Sequence, residues 1–416
     1  MKTTRLLQLF FLVVSSALVS CSSSDDGNGG QASSITLSVD NNDINLGQSI
    51  TFTVLDEGNA NITSQATIYF SGMQISENPY TPTQPGTFVV NAKVGNTTSN
   101  NISVNISSLV VSSNKSSVFP GEVITLNALG NQGNNLTSEA TFYVNGEEIT
   151  GNTYTAETRG VDIITATHET LQSNEKSILV GYPSKALIED FTGTWCGWCP
   201  RVSYGIELVE EATEEVVVAA IHRYSSAIDP FNFPAGSLES FIGLGGYPTA
   251  MLNRTTEWAT PEPSYVGQVV NLTQNISPAA LGVTSELNGN TLSIDVSTDI
   301  LDNSLSEVKL VVYVLEDGLI YEQTNYTEYY GGADYITDFV HENVLRQVPT
   351  GLFGEELTSS DLDAETNLYN KSYSFELDSN IADSSNIHLA VFVTDADGNV
   401  LNVIGSQIGE SIAIEE

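Results

Sequence analysis

Ala186-Leu-Ile-Glu-Asp-Phe-Thr-Gly-Thr-Trp-Cys-Gly-Trp-Cys-Pro200 sets two cysteines three residues apart behind a short apolar run. Ala186 to Phe191 reads as a strand. Past Pro200, Val202, Ile206 and Val209 recur at helical spacing, while Glu207, Glu210, Glu211 and Glu214 take the other face, which predicts a helix. Val216 to Ile221 is a continuous apolar run, as in a parallel strand covered on both sides. Strand, helix and strand make a βαβ unit, with the cysteines on its first βα turn.

That placement carries chemistry. A thiol at a helix N-terminus faces unpaired N–H groups and the positive end of the helix dipole, and both favour thiolate. The ordinary thiol pKa of about 8.5 falls to about 3.5–7.5 in such settings. Cys196, at the helix start, is expected to be the exposed nucleophile, and Cys199 the thiol that resolves a mixed disulfide. Gly197 leaves room for a partner chain, and Pro200 costs little in a first turn. The structural alternative is a disulfide kept closed by an oxidising compartment, although so short a loop stabilises little through chain entropy. Haem attachment needs a histidine after the second cysteine, where Pro200 stands, and zinc needs four ligands where only two thiols are local. No cofactor and no metal are expected.

The run Asp190 to Cys199 resembles the thioredoxin superfamily, and the resemblance implies a thioredoxin-like α/β domain. In that family a buried aspartate six residues before the first cysteine assists proton transfer from the second, and Asp190 occupies that position; its plain alternative is a strand-end carboxylate. The family's cis-proline, which faces the cysteines, is matched by Gly246-Tyr-Pro-Thr249 ahead of strand-like Ala250-Met-Leu252. Tyr247 and Pro248 would then offer backbone to a substrate strand. Trp198 is a candidate contact for an unfolded client, and Trp195 reads as packing. His222 ends the second strand on the same edge, either to tune Cys196 or accept a proton, or as a satisfied structural histidine. Arg223 and the Asp229-Pro230-Phe231 loop lie near by topology alone.

Upstream, the sequence repeats. Gly47-Gln-Ser-Ile-Thr-Phe-Thr-Val54 matches Gly121-Glu-Val-Ile-Thr-Leu-Asn-Ala128, Ile62–Phe70 matches Leu136–Val144, and Ser99-Asn100 matches Ser173-Asn174, always at an offset of 74. Short alternating runs such as Ile50/Phe52/Val54 and Phe88/Val90/Ala92, separated by Gly, Asn, Pro and Ser, predict two small β-sandwiches. They resemble bacterial immunoglobulin-like domains, here without cysteine. They read as spacers, the rival being a binding module whose site no residue identifies.

The N-terminal 21 residues, MKTTRLLQLFFLVVSSALVSC, have the charged start and short apolar core of a secretory signal, not a spanning helix. Leu18-Val-Ser-Cys21 resembles a bacterial lipobox, which implies cleavage before Cys21, lipidation of its thiol and a membrane anchor. Ser22 to Gly30 reads as a tether, and its Ser-Asp-Asp run resembles the surface-export signal of Bacteroidetes lipoproteins. Across 416 residues there are 13 Lys+Arg against 51 Asp+Glu, a net charge of −38. So few cations cannot neutralise phosphates, which excludes nucleic acid as a partner.

Residues 280–416 hold three Lys+Arg and 25 Asp+Glu, with strand-like runs at Leu292–Val296, Val308–Val314, Tyr373–Leu377 and His388–Val393. Asp395-Ala-Asp-Gly-Asn399 reads as a hairpin turn, and the region as a third β-sandwich. Asp338–Arg346 alternates poorly; His341 and Arg346 are expected in an ion pair at a domain junction, or in catalysis. The block from 182 to 410, through Ile188–Pro200, His222, Asp229-Pro230, Gly246-Tyr-Pro248 and His341-x-x-Val344-Leu-Arg346, resembles the outer-membrane-protein-28-related lipoproteins of Bacteroidetes. That resemblance implies a thioredoxin-like domain fused to a β domain.

The expected organisation is multidomain and mainly β: signal peptide 1–20, tether 21–33, immunoglobulin-like repeats 34–106 and 107–181, thioredoxin-like domain 182–279 and C-terminal β-sandwich 280–416. The expected function is a lipid-anchored thiol–disulfide oxidoreductase of the outer membrane, facing periplasm or cell surface. Its clients would be proteins carrying disulfides or dithiols. The alternative is a surface adhesion or binding lipoprotein whose thioredoxin-like domain is only a scaffold.

Overall fold

The computed structural model describes residues 33–224 and 228–414; the leader, Cys21 and the tether through Ala32 lie outside the described residues. Among the described residues no helix is long and apolar enough to cross a membrane. The fold is mainly β and divides into two compact units between Ser107 and Ser108.

The first unit is one copy of the repeat. Its strands Thr67–Phe70, Gly86–Val94 and Ile102–Ser107 begin 74 residues before Thr141–Val144, Gly160–His168 and Lys176–Val180 of the second copy, which lies in the second unit. Each copy buries its own core between two sheets, around Phe52 and Val90 in one and Leu126 and Ile164 in the other. The repeated polar residues have a structural task in place of a disulfide. Leu37 N–H donates to Asn100 Oδ1 at 2.8 Å, and Val111 N–H to Asn174 Oδ1 at 3.1 Å. Val54 N–H meets Thr63 Oγ1 at 2.8 Å, and Ala128 N–H meets Thr137 Oγ1 at 3.0 Å. These side chains satisfy backbone donors that burial would otherwise leave unpaired.

The rest of the second unit is organised by one large sheet. Its longer strands are β1 (Ala186–Thr192), β2 (Val216–His222), β3 (Thr249–Leu252), β4 (Lys309–Glu316), β7 (Val344–Gln347), β8 (Ile387–Thr394) and β9 (Val400–Gln407), with two-residue strands Thr256–Glu257 beside β3 and Glu355–Glu356 beside β4. A separate hairpin, β5 (Leu319–Thr324) with β6 (Tyr335–His341), stands off the sheet. The order across the sheet is β3, β1, β2, β7, β4, β8, β9. β1 and β2 are parallel and joined through α1 (Pro200–Ala212); α2 (Gly236–Ile242) precedes β3, which runs antiparallel to β1.

Period-two burial explains the unbroken apolar runs. On one face, Leu187 and Phe191 of β1, Val217 and Ala219 of β2, Val311 and Tyr313 of β4, and Phe392 of β8 share a single core with Leu238 of α2. On the opposite face, β1 and β2 pack under α1 through Ile188, Val218, Val202 and Val209. At the far end, Leu310, Val312, Leu389 and Val391 pack on a second sheet built from Ala279–Asn288, Thr291–Ile300, Tyr369–Glu376 and Ser411–Ile412.

The boundary expected at 279/280 is therefore bridged by a continuous sheet. β2 pairs with β7 through Ala220 and Val344, and Ala220 N–H donates to Asn343 O at 2.8 Å. The irregular segment around Arg346 supplies the strand that joins the two halves. Arg346 Nε lies 3.0 Å from Glu316 Oε2, an ion pair within the sheet. His341 makes no such pair; its Nε2 is buried without a partner.

Candidate functional site

Cys196 and Cys199 are joined in a disulfide with their Cα atoms 5.4 Å apart. The turn that presents them is held by Cys196 N–H to Gly193 O at 2.9 Å and Cys199 N–H to Cys196 O at 3.1 Å. Cys199 is the N-cap of α1, Pro200 its first residue, and no acidic side chain stands in the first turn to offset the dipole.

The expected exposure of Cys196 is not found: it is 4% exposed, and Cys199 1%. The cover comes from the end of β5 and the residues after it. Thr324 N–H donates to Thr194 O at 2.9 Å, and Tyr326 N–H to Gly197 O at 2.6 Å. The side chain of Gln323, itself buried, donates to Cys196 O at 3.0 Å. The room left by Gly197 is filled by Tyr326, since a Cβ there would lie 2.3 Å from its ring. Trp198 stays 52% exposed, edge-on to Tyr326 at 6.0 Å.

Beside the turn, under α1, lies a cavity of about 100 Å³ lined by Asp190, His222, Gln323, Tyr330 and His341 among others. Asp190 is buried and its Oδ1 has no partner. Burial first, and the charge of Glu262 second, push its carboxyl up to about 8. His341 is also buried, in contact with Phe231, Phe339 and His222, and desolvation followed by the charge of His222 holds it down at about 3, so it is neutral. His222 is tied to Asp229, with Nδ1 at 3.1 Å from Oδ2. The same Asp229 oxygen accepts the Thr194 N–H at 2.8 Å. Burial raises the Asp229 carboxyl, but the His222 hydrogen bond and charge, with two backbone N–H groups, outweigh it and hold the carboxyl below its usual range. The Asp229 loop, placed near by topology alone, thus braces the cysteine turn itself.

Tyr247–Pro248 is a cis peptide bond at the entry to β3. Tyr247 packs edge-on against Trp195 at 5.4 Å and donates to Glu239 Oε1 at 2.5 Å. Glu239 also holds Arg223, whose carbonyl accepts the Trp195 indole N–H at 2.8 Å. Trp195, Arg223 and Tyr247 thus form one half-buried cluster on the flank of the turn.

Several residues that hold the site carry no local signal in the sequence. Arg254 Nη2 donates to Glu189 Oε1 at 2.8 Å and to Tyr313 Oη at 2.6 Å, and Tyr313 Oη–H donates to Glu189 Oε1 at 2.8 Å, all three buried. This knot locks β1 to β4 behind the cysteine turn. Gln323 and Tyr326 look in sequence like any polar-aromatic loop. Only their register on a turn about 130 residues upstream gives them a role.

Residues 235–412 match the family model of the outer membrane protein Omp28, so the cysteine pair lies outside the matched stretch. Among solved structures, HBP35 of Porphyromonas gingivalis is 16% identical, over 56% of this chain and 79% of its own, with a TM-score of 0.43. Domains 5–6 of the S-layer protein SbsC are 14% identical over 35% of this chain and 96% of that one, with a TM-score of 0.14. No curated protein matches the chain. The Omp28 match bears out the outer-membrane or cell-surface location expected from the sequence.

Proposed function

We propose that the chain is an outer-membrane thiol–disulfide oxidoreductase, anchored through lipid on Cys21, whose residues 182–279 form the thioredoxin-like portion of a larger sheet. The observation that carries this reading is the Cys196–Cys199 disulfide at the N-terminus of α1, with a buried carboxyl that has an unpartnered oxygen on the strand leading into that turn. In the reduced protein the Cys196 thiolate attacks a client disulfide. A Cys196–client bond forms and one client thiolate leaves. Asp190 takes the proton of Cys199, and the Cys199 thiolate attacks the Cys196 sulfur. The second client thiolate leaves and is protonated, and the electron pair of the Cys pair has passed to the client. A client dithiol drives the same steps in reverse. With its carboxyl near 8, Asp190 exchanges a proton close to neutral pH. Trp198 and the backbone at Tyr247 and Pro248 are proposed as client contacts.

The test uses the full mature chain. Cys196→Ser is expected to drop the reduction of a glutathionylated reporter peptide to the rate of dithiothreitol alone. Cys199→Ala, expressed in the native envelope, is expected to accumulate client proteins disulfide-linked to Cys196. A reporter rate unchanged by Cys196→Ser, together with no adducts, would overturn the reading.

A further inference from the structure

The disulfide lies beneath a segment that binds the cysteine turn as an added chain would. Two backbone donors at alternate residues, Thr324 N–H and Tyr326 N–H, meet the carbonyls of Thr194 and Gly197, on either side of Cys196. That is the pattern by which an extended peptide joins exposed backbone, with main-chain hydrogen bonds for affinity and alternate side chains for fit. The Tyr326 ring lies on Gly197, where no other residue leaves space, and Gln323 caps the Cys196 carbonyl.

This segment stands off the large sheet. Among the described residues β5 and β6 pair with each other and with no other strand; Ile320, Tyr321 and Tyr335 on them are exposed, while Leu319, Gln323 and His341 on them, and Asn325 just beyond β5, are buried. Beyond Tyr326 the hairpin tip rests on α1: Tyr329 stacks on Tyr204 at 4.4 Å, and Tyr330 Oη–H donates to Glu207 Oε1 at 2.8 Å. The tip is therefore held by surface contacts, not by the core of the large sheet. Disulfide exchange needs an incoming sulfur in line with the Cys196 sulfur, and that sulfur is covered.

We propose that Gln323–Tyr326 is a built-in occupant of the client-docking edge, and that exchange at Cys196 requires an extended client segment to displace it and take over the carbonyls of Thr194 and Gly197. The inference rests on the exchange reading above and names the client's form: a chain extended beside its cysteine, with two free N–H groups two residues apart and a flat side chain to lie on Gly197 next to Trp198. A folded client whose cysteine is flanked by helix cannot make these bonds.

Two measurements on the full chain test it. The first is the rate at which tris(2-carboxyethyl)phosphine reduces the Cys196–Cys199 bond, read by alkylation and mass. Thr324→Pro removes one donor and Tyr326→Ala removes the ring; each is expected to raise the rate at least tenfold over the parent. Rates within twofold of the parent in both variants overturn the proposal. The second needs no change in the segment. In reduced Cys199→Ser, the Cys196 thiolate attacks a short extended peptide whose cysteine is capped by 5-thio-2-nitrobenzoate; the Cys196–peptide disulfide forms and the thionitrobenzoate thiolate leaves. In that adduct the amides of Thr324 and Tyr326 are expected to exchange with deuterium at least tenfold faster than in the free chain. Unchanged protection overturns the proposal. The reporter turnover lost in Cys196→Ser tests the exchange reading separately, so either can fail while the other stands.

Discussion

On one face of β1, Glu189 is buried against Arg254 and Tyr313 with every contact made. One residue on, and so on the other face, Asp190 is equally buried and has an oxygen with nothing to bond. The two carboxyls share a strand and a depth. They differ in what the facing elements supply: a guanidinium and a phenol on the side shared with β4, a small cavity and a neutral histidine on the side under α1. A buried charge that is fully bonded fixes geometry. A buried acid left without a partner stores a proton near neutral pH. The first is what a scaffold needs and the second what a proton-transfer step needs, so the contrast separates framework from chemistry within a single strand.

Removing the guanidinium should break the framework face hardest. Arg254→Met takes the guanidinium partner from the buried Glu189, and a loss of about 3–5 kcal/mol is expected in urea unfolding. A loss under about 1 kcal/mol would put the two faces on equal terms.

The acid face should respond in the opposite direction, and with pH. The Asp190 carboxyl is raised from 3.8 to about 8 in the folded chain. The neutral form is thus favoured by folding, and its contribution is complete below the unfolded value and lost as pH climbs through the folded one. Asp190→Asn cannot ionise, so its stability relative to the parent should grow by roughly 2–5 kcal/mol between pH 4 and pH 9. A difference that does not change with pH would show Asp190 to be as well satisfied as Glu189.

The repeats extend the comparison to polar groups without charge. Asn100→Ala and Asn174→Ala each strip a buried N–H of its acceptor, so each should cost about 1–2 kcal/mol and by similar amounts, measured by thermal melts. Smallest of all, Trp198→Ala removes a side chain that is mostly in solvent and should shift stability by less than about 0.5 kcal/mol.

Legibility follows distance along the chain. The β1–α1–β2 unit, the turn at Asp395–Asn399 and the 74-residue repeat are readable because each rests on residues close together or on a copied pattern. Asp190 and Tyr247 stand out through resemblance to a motif. The pairing of Ala220 with Val344 does not, because a strand as short as Val344–Gln347 with a buried arginine in it shows no clean alternation. For the same reason Glu189, Arg254 and Tyr313 look like three unrelated residues until the sheet brings them together. The cover on Cys196 escapes a reading of the sequence because Asn325–Tyr330 alone has the composition of an ordinary loop, and the glycine that accepts it reads as space for another molecule.

The shared core of β1, β2, β4 and β8 also limits how this protein can be cut. A fragment ending near residue 279 would retain both sulfurs yet strip Leu187, Phe191 and Val217 of the neighbours Val311, Tyr313 and Phe392. Such a piece would expose a broad oily surface and precipitate before it could be assayed, so the smallest soluble body bearing this cysteine pair runs on to the hairpin of β8 and β9.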